Sequence, residues 1–250
     1  MLLHGFMQDG TLWEDSAEAL AVTNYVVAPT MTPPSPDESS LGDMAEGVYG
    51  VIQQCALHTR RFKAIVVGYS FGGRVALEFA RRYPEVLSGL VLESASLGPR
   101  TESERASLKE RNELWADQFE QAESMKEVVD IWEKVPLFAT QRSLDEKVRE
   151  SIRKVRLRGD KEQLAWLLRS AGAHTMPLED EACALLKELP VPVLYAAGSS
   201  DAKYSEVADR VEALGAAHIQ VARFACGHNI HLESPVAYAE RLRAFANSVE

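Results

Sequence analysis

The sequence predicts an α/β protein with a mostly parallel central sheet and a helical cap, and three observations indicate this fold class. Short apolar runs alternate along the chain with stretches of helical periodicity, which is typical of a parallel sheet covered by helices. Runs such as Ala-Ile-Val-Val at residues 64–67 are continuously apolar, as expected when both faces of a strand are buried. One long charged segment, residues 96–190, contains no convincing strand pattern.

Five apolar runs predict the strands of the sheet, and Leu2 with Leu3 could be the tail of one more. In chain order the five runs are residues 25–28, 64–67, 90–93, 193–196 and 219–224. Helical patterns follow most of them, at residues 41–55, 71–82, 204–214 and 236–248. We therefore expect a core formed by residues 1–95 and 191–250, with a cap inserted between two of its strands.

Residues 96–190 are too many for an ordinary connection between strands, so we expect them to form a lid or cap. Helical patterns cover residues 102–123, 126–134, 144–157, 161–171 and 179–189. Three of the four tryptophans lie here, at Trp115, Trp132 and Trp166. Taken alone, each tryptophan is most simply explained as part of the cap's own core.

Composition excludes several classes of function. Lys and Arg number 27 against 37 Asp and Glu, so the net charge is −10, which argues against nucleic acid or an anionic membrane as partner. No apolar run is long enough to span a bilayer, and no signal peptide is expected. The three cysteines, Cys55, Cys183 and Cys226, are far apart and predict neither a disulfide framework nor a CxxC metal site. We expect a cytoplasmic protein.

The strongest chemical signal is Gly68-Tyr69-Ser70-Phe71-Gly72-Gly73, which lies between a predicted strand and a predicted helix. A Gly-x-Ser-x-Gly motif in this setting is typical of a nucleophile elbow, a strained turn that exposes the serine hydroxyl above the sheet. The glycines are needed because neighbouring Cβ atoms would collide in such a turn. The helix amino terminus would stabilise negative charge that develops beside Ser70.

A serine needs a histidine to take its proton and an acid to orient that histidine. His228 follows the last predicted strand, and His231 is the alternative three residues later. Asp201 follows the strand at residues 193–196, at the end where such sheets bind ligands. The alternative role for Asp201 is an amino-terminal cap of the next helix. Lys203 could bind substrate, although a solvated lysine is the simpler interpretation.

An oxyanion site needs backbone N–H donors, one from the residue after the nucleophile and one from an early loop. The sequence offers Phe71 for the first donor and Phe6, in His4-Gly5-Phe6, for the second. Arg74 lies one helical turn after Ser70 and could face an anionic substrate or pair with Glu78 at the i+4 position.

These features together resemble the α/β-hydrolase fold, and more specific stretches resemble the 2-succinyl-6-hydroxy-2,4-cyclohexadiene-1-carboxylate synthase family of menaquinone biosynthesis. The stretch Trp-Glu-Lys-Val-Pro-Leu-Phe at residues 132–138 is the most specific of them. The others are Leu-His-Gly-Phe at 3–6, Gly-Tyr-Ser-Phe-Gly-Gly-Arg at 68–74, Arg-Leu-Arg at 156–158, Ser-Asp-Ala-Lys-Tyr at 200–204 and Gly-His-Asn-Ile-His-Leu-Glu at 227–233. The loop at residues 29–34 lacks the Asp-x-x-Gly-His-Gly pattern usual in that family.

The resemblance implies a lyase without cofactor or metal, in which Ser70 acts as the base that starts elimination of pyruvate. The amides of Phe6 and Phe71 would hold negative charge on the succinyl carbonyl. The substrate-binding residues that the family implies are Tyr69, Arg74, Trp132, Arg156 and an early cap arginine at Arg105 or nearby. The partner is then a small molecule with several carboxylates. The resemblance also leads us to expect that the first two strands of the usual eight are absent.

Two alternatives remain open from the sequence. The same fold and triad would suit an ordinary serine hydrolase of an ester or carbon–carbon bond in a small carboxylated substrate. The other alternative is a catalytically silent scaffold, which would keep its activity in the cell after Ser70→Ala.

Overall fold

Five parallel strands form one sheet in the computed structural model, which describes residues 1–249. They pair in the order β1 to β5 and comprise β1 (Leu2–Leu3), β2 (Ala64–Tyr69), β3 (Leu87–Glu93), β4 (Val193–Gly198) and β5 (Ile219–Phe224). The predicted α/β class and the parallel sheet are confirmed.

Helices connect these strands and account for most of the remaining chain. In chain order they are α1 (Glu14–Ala21), α2 (Leu41–Thr59), α3 (Phe71–Arg82), α4 (Glu102–Gln121), α5 (Met125–Trp132), α6 (Glu146–Arg156), α7 (Lys161–Ser170), α8 (Glu179–Glu188), α9 (Ala202–Glu212), α10 (Ile230–Glu233) and α11 (Pro235–Ser248). The predicted helix at residues 71–82 has the same bounds as α3. Helix α1 had no prediction, because its eight residues are too few for a clear apolar period.

The sheet separates two apolar layers, because successive side chains of a strand point to opposite faces. On β3, Leu90 and Leu92 pack with α2, α3 and α9, whereas Val91 packs with Leu20 of α1 and Phe245 of α11. All three β3 side chains are fully buried. This two-sided burial explains why residues 90–92 of β3 are continuously apolar rather than alternating.

The predicted strand at residues 25–28 is wrong. The segment has no strand conformation, and Tyr25 is 65% exposed. One backbone hydrogen bond, from Leu2 N–H to the Val27 carbonyl at 2.8 Å, connects it to β1. Since β1 is only two residues long, it offers too short an edge for a second ladder to form.

Between β3 and β4 the chain runs through α4 to α8, and residues 96–190 contain no strand. Apolar side chains from α4, α5 and α7 form a separate buried cluster, which includes Phe119, Val129 and Leu164. Trp115 and Trp132 pack against this cluster. Among the described residues, none of the helices combines the length and apolar character needed to cross a membrane.

Candidate active site

Ser70 lies in a sharp turn between β2 and α3, with φ 51° and ψ −104°. A positive φ is strained for a residue with a Cβ atom, and strain of this kind is typical of functional turns. The turn is tight because a Cβ atom at Gly68 would overlap the Gly72 carbonyl oxygen and lie 2.7 Å from Gly73 Cα. The sequence thus forms the elbow that its glycines predict.

The structure brings Ser70, His228 and Asp201 together as one hydrogen-bonded chain. His228 Nε2 lies 3.0 Å from Ser70 Oγ, and His228 Nδ1 lies 2.6 Å from Asp201 Oδ2. The His228 and Asp201 side chains are almost fully buried, at 1% and 4% exposed. With Nδ1–H donated to the carboxylate, Nε2 is free to accept the serine proton.

Asp201 also fills the alternative role that its position allows. Its Oδ1 accepts a hydrogen bond from the Tyr204 backbone N–H at 3.3 Å, which caps the first turn of α9. The other histidine candidate, His231, lies away from Ser70 and contacts Glu93 at 2.9 Å. The structure therefore places His228, not His231, within hydrogen-bond distance of Ser70 Oγ.

The two predicted oxyanion donors, the backbone N–H groups of Phe6 and Phe71, belong to two segments that approach each other closely. Phe71 is the first residue of α3, and Phe6 lies in the loop after β1. A Cβ atom at Gly72 would overlap the Leu3 carbonyl oxygen, so only glycine lets that loop pack so near the helix amino terminus. Within residues 1–249, neither the Phe6 nor the Phe71 backbone N–H donates a hydrogen bond, which leaves both for a substrate oxygen.

A cavity of about 200 Å³ opens beside Ser70, between the sheet and helices α4 to α7. Its lining combines aromatic rings with cationic groups. The rings belong to Phe6, Tyr69, Trp115, Trp132, Phe138 and Tyr204, and the cationic groups to Arg74, Arg111, Arg156 and Lys203. Four cationic side chains around one small cavity, in a chain of net charge −10, make this site suited to an anionic ligand.

Arg74 lines the cavity rather than pairing with Glu78. Its Nη1 donates to the Ala171 carbonyl at 2.6 Å, while Glu78 binds Arg81 and Arg82 instead. Burial lowers the pKa of the Arg74 guanidinium from 12.5 to about 10, so the group keeps its charge at neutral pH. Hydrogen-bond donors on a buried guanidinium can bind a carboxylate strongly.

Arg156 and Trp132 present donors that have no acceptor among the described residues. Arg156 is 4% exposed, and it contacts Glu133 Oε1 at 3.2 Å and Gln141 Oε1 at 3.1 Å. Burial lowers its pKa, although the Glu133 carboxylate opposes the shift. Arg156 Nε and Trp132 Nε1 are both buried without a partner. Since buried donors are normally satisfied, these two groups are candidates to bind a ligand.

Arg105 is not brought to the cavity. Its Nη1 donates to the carbonyls of His174 at 2.7 Å and Met176 at 2.6 Å, and its Nε donates to Glu102. Arg111, six residues further along α4, lines the cavity instead. Its spacing of four residues from Trp115, which also lines the cavity, is the sequence signal that could have identified it.

Lys203, which the sequence analysis left as a solvated lysine or a binding residue, also lines the cavity. Its Nζ lies 5.0 Å from the centre of the Tyr204 ring. Tyr69 lines the cavity as well, and burial raises its phenol pKa well above 10, so it is a neutral hydrogen-bond donor at physiological pH.

Comparisons with known proteins agree with this geometry. The alpha/beta hydrolase family model matches residues 1–241. A Bacillus subtilis (strain 168) protein provisionally named as a 2-succinyl-6-hydroxy-2,4-cyclohexadiene-1-carboxylate synthase is 35% identical over 210 residues, covering 84% of this chain and 72% of that protein. The synthase of that name from Salmonella agona is 30% identical over 242 residues, covering 97% and 91%. The solved structure of MenH from S. aureus superposes with a TM-score of 0.88 at 27% identity, covering 99% of this chain and 92% of that one.

Proposed function

Because the chain belongs to the alpha/beta hydrolase family, and within it to the 2-succinyl-6-hydroxy-2,4-cyclohexadiene-1-carboxylate synthases, we propose that it catalyses the reaction after which those relatives are named. The substrate would be a cyclohexene carboxylate that carries a succinyl and a carboxyvinyloxy group. The enzyme would eliminate pyruvate from it without a cofactor and leave the cyclohexadiene product.

The proposed chemistry uses the triad as a base rather than as an acyl-enzyme nucleophile. Ser70 Oγ removes a ring proton while its own proton passes to His228 Nε2, and Asp201 stabilises the imidazolium that forms. The electron pair of the broken C–H bond moves onto the succinyl carbonyl oxygen, where the Phe6 and Phe71 amides hold it. The electron pair then returns to the ring, where a new double bond forms as the carbon–oxygen bond to the enolpyruvate group breaks. The departing enolpyruvate becomes pyruvate by taking up a proton at carbon.

The observation that carries the proposal is the cationic lining of the cavity beside Ser70. Arg156 is buried there and Arg74 is half-buried, and Arg111 and Lys203 lie exposed at the same cavity. A substrate with several carboxylates would satisfy these charges and the unpartnered donors of Arg156 and Trp132. An esterase for neutral esters would have no use for them.

The proposal also includes a role for residues 96–190, the cellular location of the protein and the kind of partner that it binds. Residues 96–190 would act as a cap that closes over the substrate, since α5 and α6 contribute Trp132 and Arg156 to the cavity wall. A cytoplasmic location fits the unpaired cysteines, Cys55, Cys183 and Cys226, which suit a reducing compartment. We propose a small molecule, not nucleic acid, as the partner, because the net charge is −10.

The test is pyruvate release from the carboxyvinyloxy substrate, compared between the wild-type enzyme and Ser70→Ala. We expect turnover by the wild type and a loss of at least about 10³-fold in the variant. Ser107→Ala is the matched control, because Ser107 lies exposed on α4 and donates only to a carbonyl of its own helix.

Hydrolysis of a p-nitrophenyl ester that depends on Ser70, without pyruvate release, would instead identify a serine hydrolase of another small acid. The fold alone supports that alternative. Activity in the cell that survives Ser70→Ala would favour the scaffold interpretation.

A further inference from the structure

A second histidine–carboxylate pair lies beside the triad, and the proposed chemistry does not use it. His231 Nδ1 is 2.9 Å from Glu93 Oε1 and 3.0 Å from Oε2, and both side chains are completely buried. The indole of Trp13 stacks on the His231 ring with their centroids 3.8 Å apart. Apolar residues often replace buried ionisable pairs without loss of stability, so packing alone does not account for this pair.

Glu93 forms hydrogen bonds with both segments that carry the reacting atoms. Its backbone carbonyl accepts the Ser70 N–H at 2.8 Å, at the start of the elbow. Its Oε1 accepts the His231 backbone N–H at 3.1 Å, three residues after His228. One residue at the end of β3 therefore connects the turn that carries Ser70 to the segment that carries His228.

Glu233 holds that same segment on either side of His228. Its Oε2 accepts the Gly227 N–H at 2.7 Å, and its Oε1 accepts the Asn229 N–H at 3.1 Å. A Cβ atom at Gly227 would overlap Thr140 Oγ1 and lie 2.7 Å from Glu233 Oε2, so glycine allows the carboxylate to approach. The two backbone N–H groups that flank His228 thus both donate to the Glu233 side chain, which restricts the His228 backbone.

We propose that Glu233 is a positioning residue that holds residues 227–229 so that His228 Nε2 stays within hydrogen-bond distance of Ser70 Oγ. This inference rests on the triad of the proposed function. The Glu233 carboxylate does not line the cavity, so it acts through His228. A displacement of about 1 Å at reacting groups can cost about 100-fold in rate, which is the scale of effect we expect.

The test measures how fast an alkyl fluorophosphonate labels Ser70, since labelling needs the triad but not the proposed substrate. Ser70 Oγ forms a bond to phosphorus, fluoride leaves, and His228 takes up the hydroxyl proton. Glu233→Gln replaces one accepting oxygen with an amide that faces a backbone N–H. We expect the saturating rate of labelling to fall about 10- to 100-fold, with the half-saturating probe concentration changed by less than about threefold.

Glu233→Asp keeps two accepting oxygens and is expected to recover part of the rate, which a loss of stability alone would not explain. Glu240→Gln on α11 is the matched control, because that side chain is exposed and should leave the rate unchanged. Circular dichroism and the melting temperature establish that each variant is folded.

A folded Glu233→Gln protein that is labelled at the wild-type rate would overturn the proposal. Failure of both Glu233 variants to fold would also overturn it, because Glu233 would then act in stability rather than in positioning. If the probe did not label Ser70 in the wild-type protein, the result would contradict both the catalytic role of the triad and this inference. Triad-dependent labelling without pyruvate release would count only against the synthase reaction, and slower labelling of folded Glu233→Gln would still support the positioning role.

Discussion

Asp201 holds His228 Nδ1 at 2.6 Å with one carboxylate oxygen while its other oxygen caps α9 at the Tyr204 N–H. The helix cap fixes the carboxylate, and the carboxylate fixes the tautomer of His228 in which Nε2 accepts the serine proton. The helix cap and the proposed catalytic role therefore depend on different oxygens of one side chain, and a single substitution can separate them.

Asp201→Asn should abolish most of the activity while leaving the protein stable. Asparagine caps a helix about as well as aspartate, so we expect a change of less than about 1 kcal/mol in the free energy of unfolding. The amide cannot stabilise the imidazolium and favours the wrong tautomer, so kcat should fall by about 10³- to 10⁴-fold. Denaturant unfolding and the pyruvate assay measure the two effects. A variant that keeps a tenth of the wild-type kcat would contradict the role of Asp201.

Arg74→Ala tests whether the cationic cavity binds substrate carboxylates. A hydrogen bond to a charged group contributes about 1.5–3 kcal/mol, so kcat/KM should fall by about 10- to 150-fold. Arg105→Ala is the matched control, because Arg105 bonds to backbone carbonyls outside the cavity. We expect Arg105→Ala to keep its KM. Equal losses in the two variants would show that the effect is structural.

Much of the fold and the triad could be predicted because their signals are local. The elbow glycines around Ser70 and the position of Asp201 after an apolar strand depend on neighbouring residues in the sequence. The strand predicted at residues 25–28 does not form. Its formation depends on the length of its partner β1, and the sequence of residues 25–28 does not encode that length. Arg111 was missed for a similar reason: its four-residue spacing from Trp115 indicates a shared face of α4, but packing against α7 decides whether that face meets the cavity. The binding roles of the remaining site residues stay predictions until they are measured.

Cys226, two residues before His228, provides a test of how tightly this part of the site is closed. Burial raises the pKa of its thiol from 9.0 to about 12, and the nearby carboxylate of Glu233 adds to the shift. A raised pKa keeps the thiol protonated, so at pH 8 only about one molecule in 10⁴ carries the reactive thiolate. We expect iodoacetamide at pH 8 to leave Cys226 unmodified in the native protein and to alkylate it after denaturation, as read by peptide mass spectrometry. Rapid native alkylation would show that the segment opens.

Gly72→Ala should damage both stability and catalysis, because its Cβ would overlap the Leu3 carbonyl oxygen. Relieving that overlap moves the loop after β1 away from the start of α3 and separates the two proposed oxyanion donors, Phe6 and Phe71. We expect a loss of about 1–3 kcal/mol in stability and about 100-fold in kcat. Gly50→Ala is the matched control, because nothing lies within 4 Å of its added Cβ and the residue is inside α2. There alanine should stabilise the helix by up to about 1 kcal/mol and leave kcat unchanged. If Gly72→Ala kept full kcat, the close approach of the loop would not be needed to form the oxyanion site.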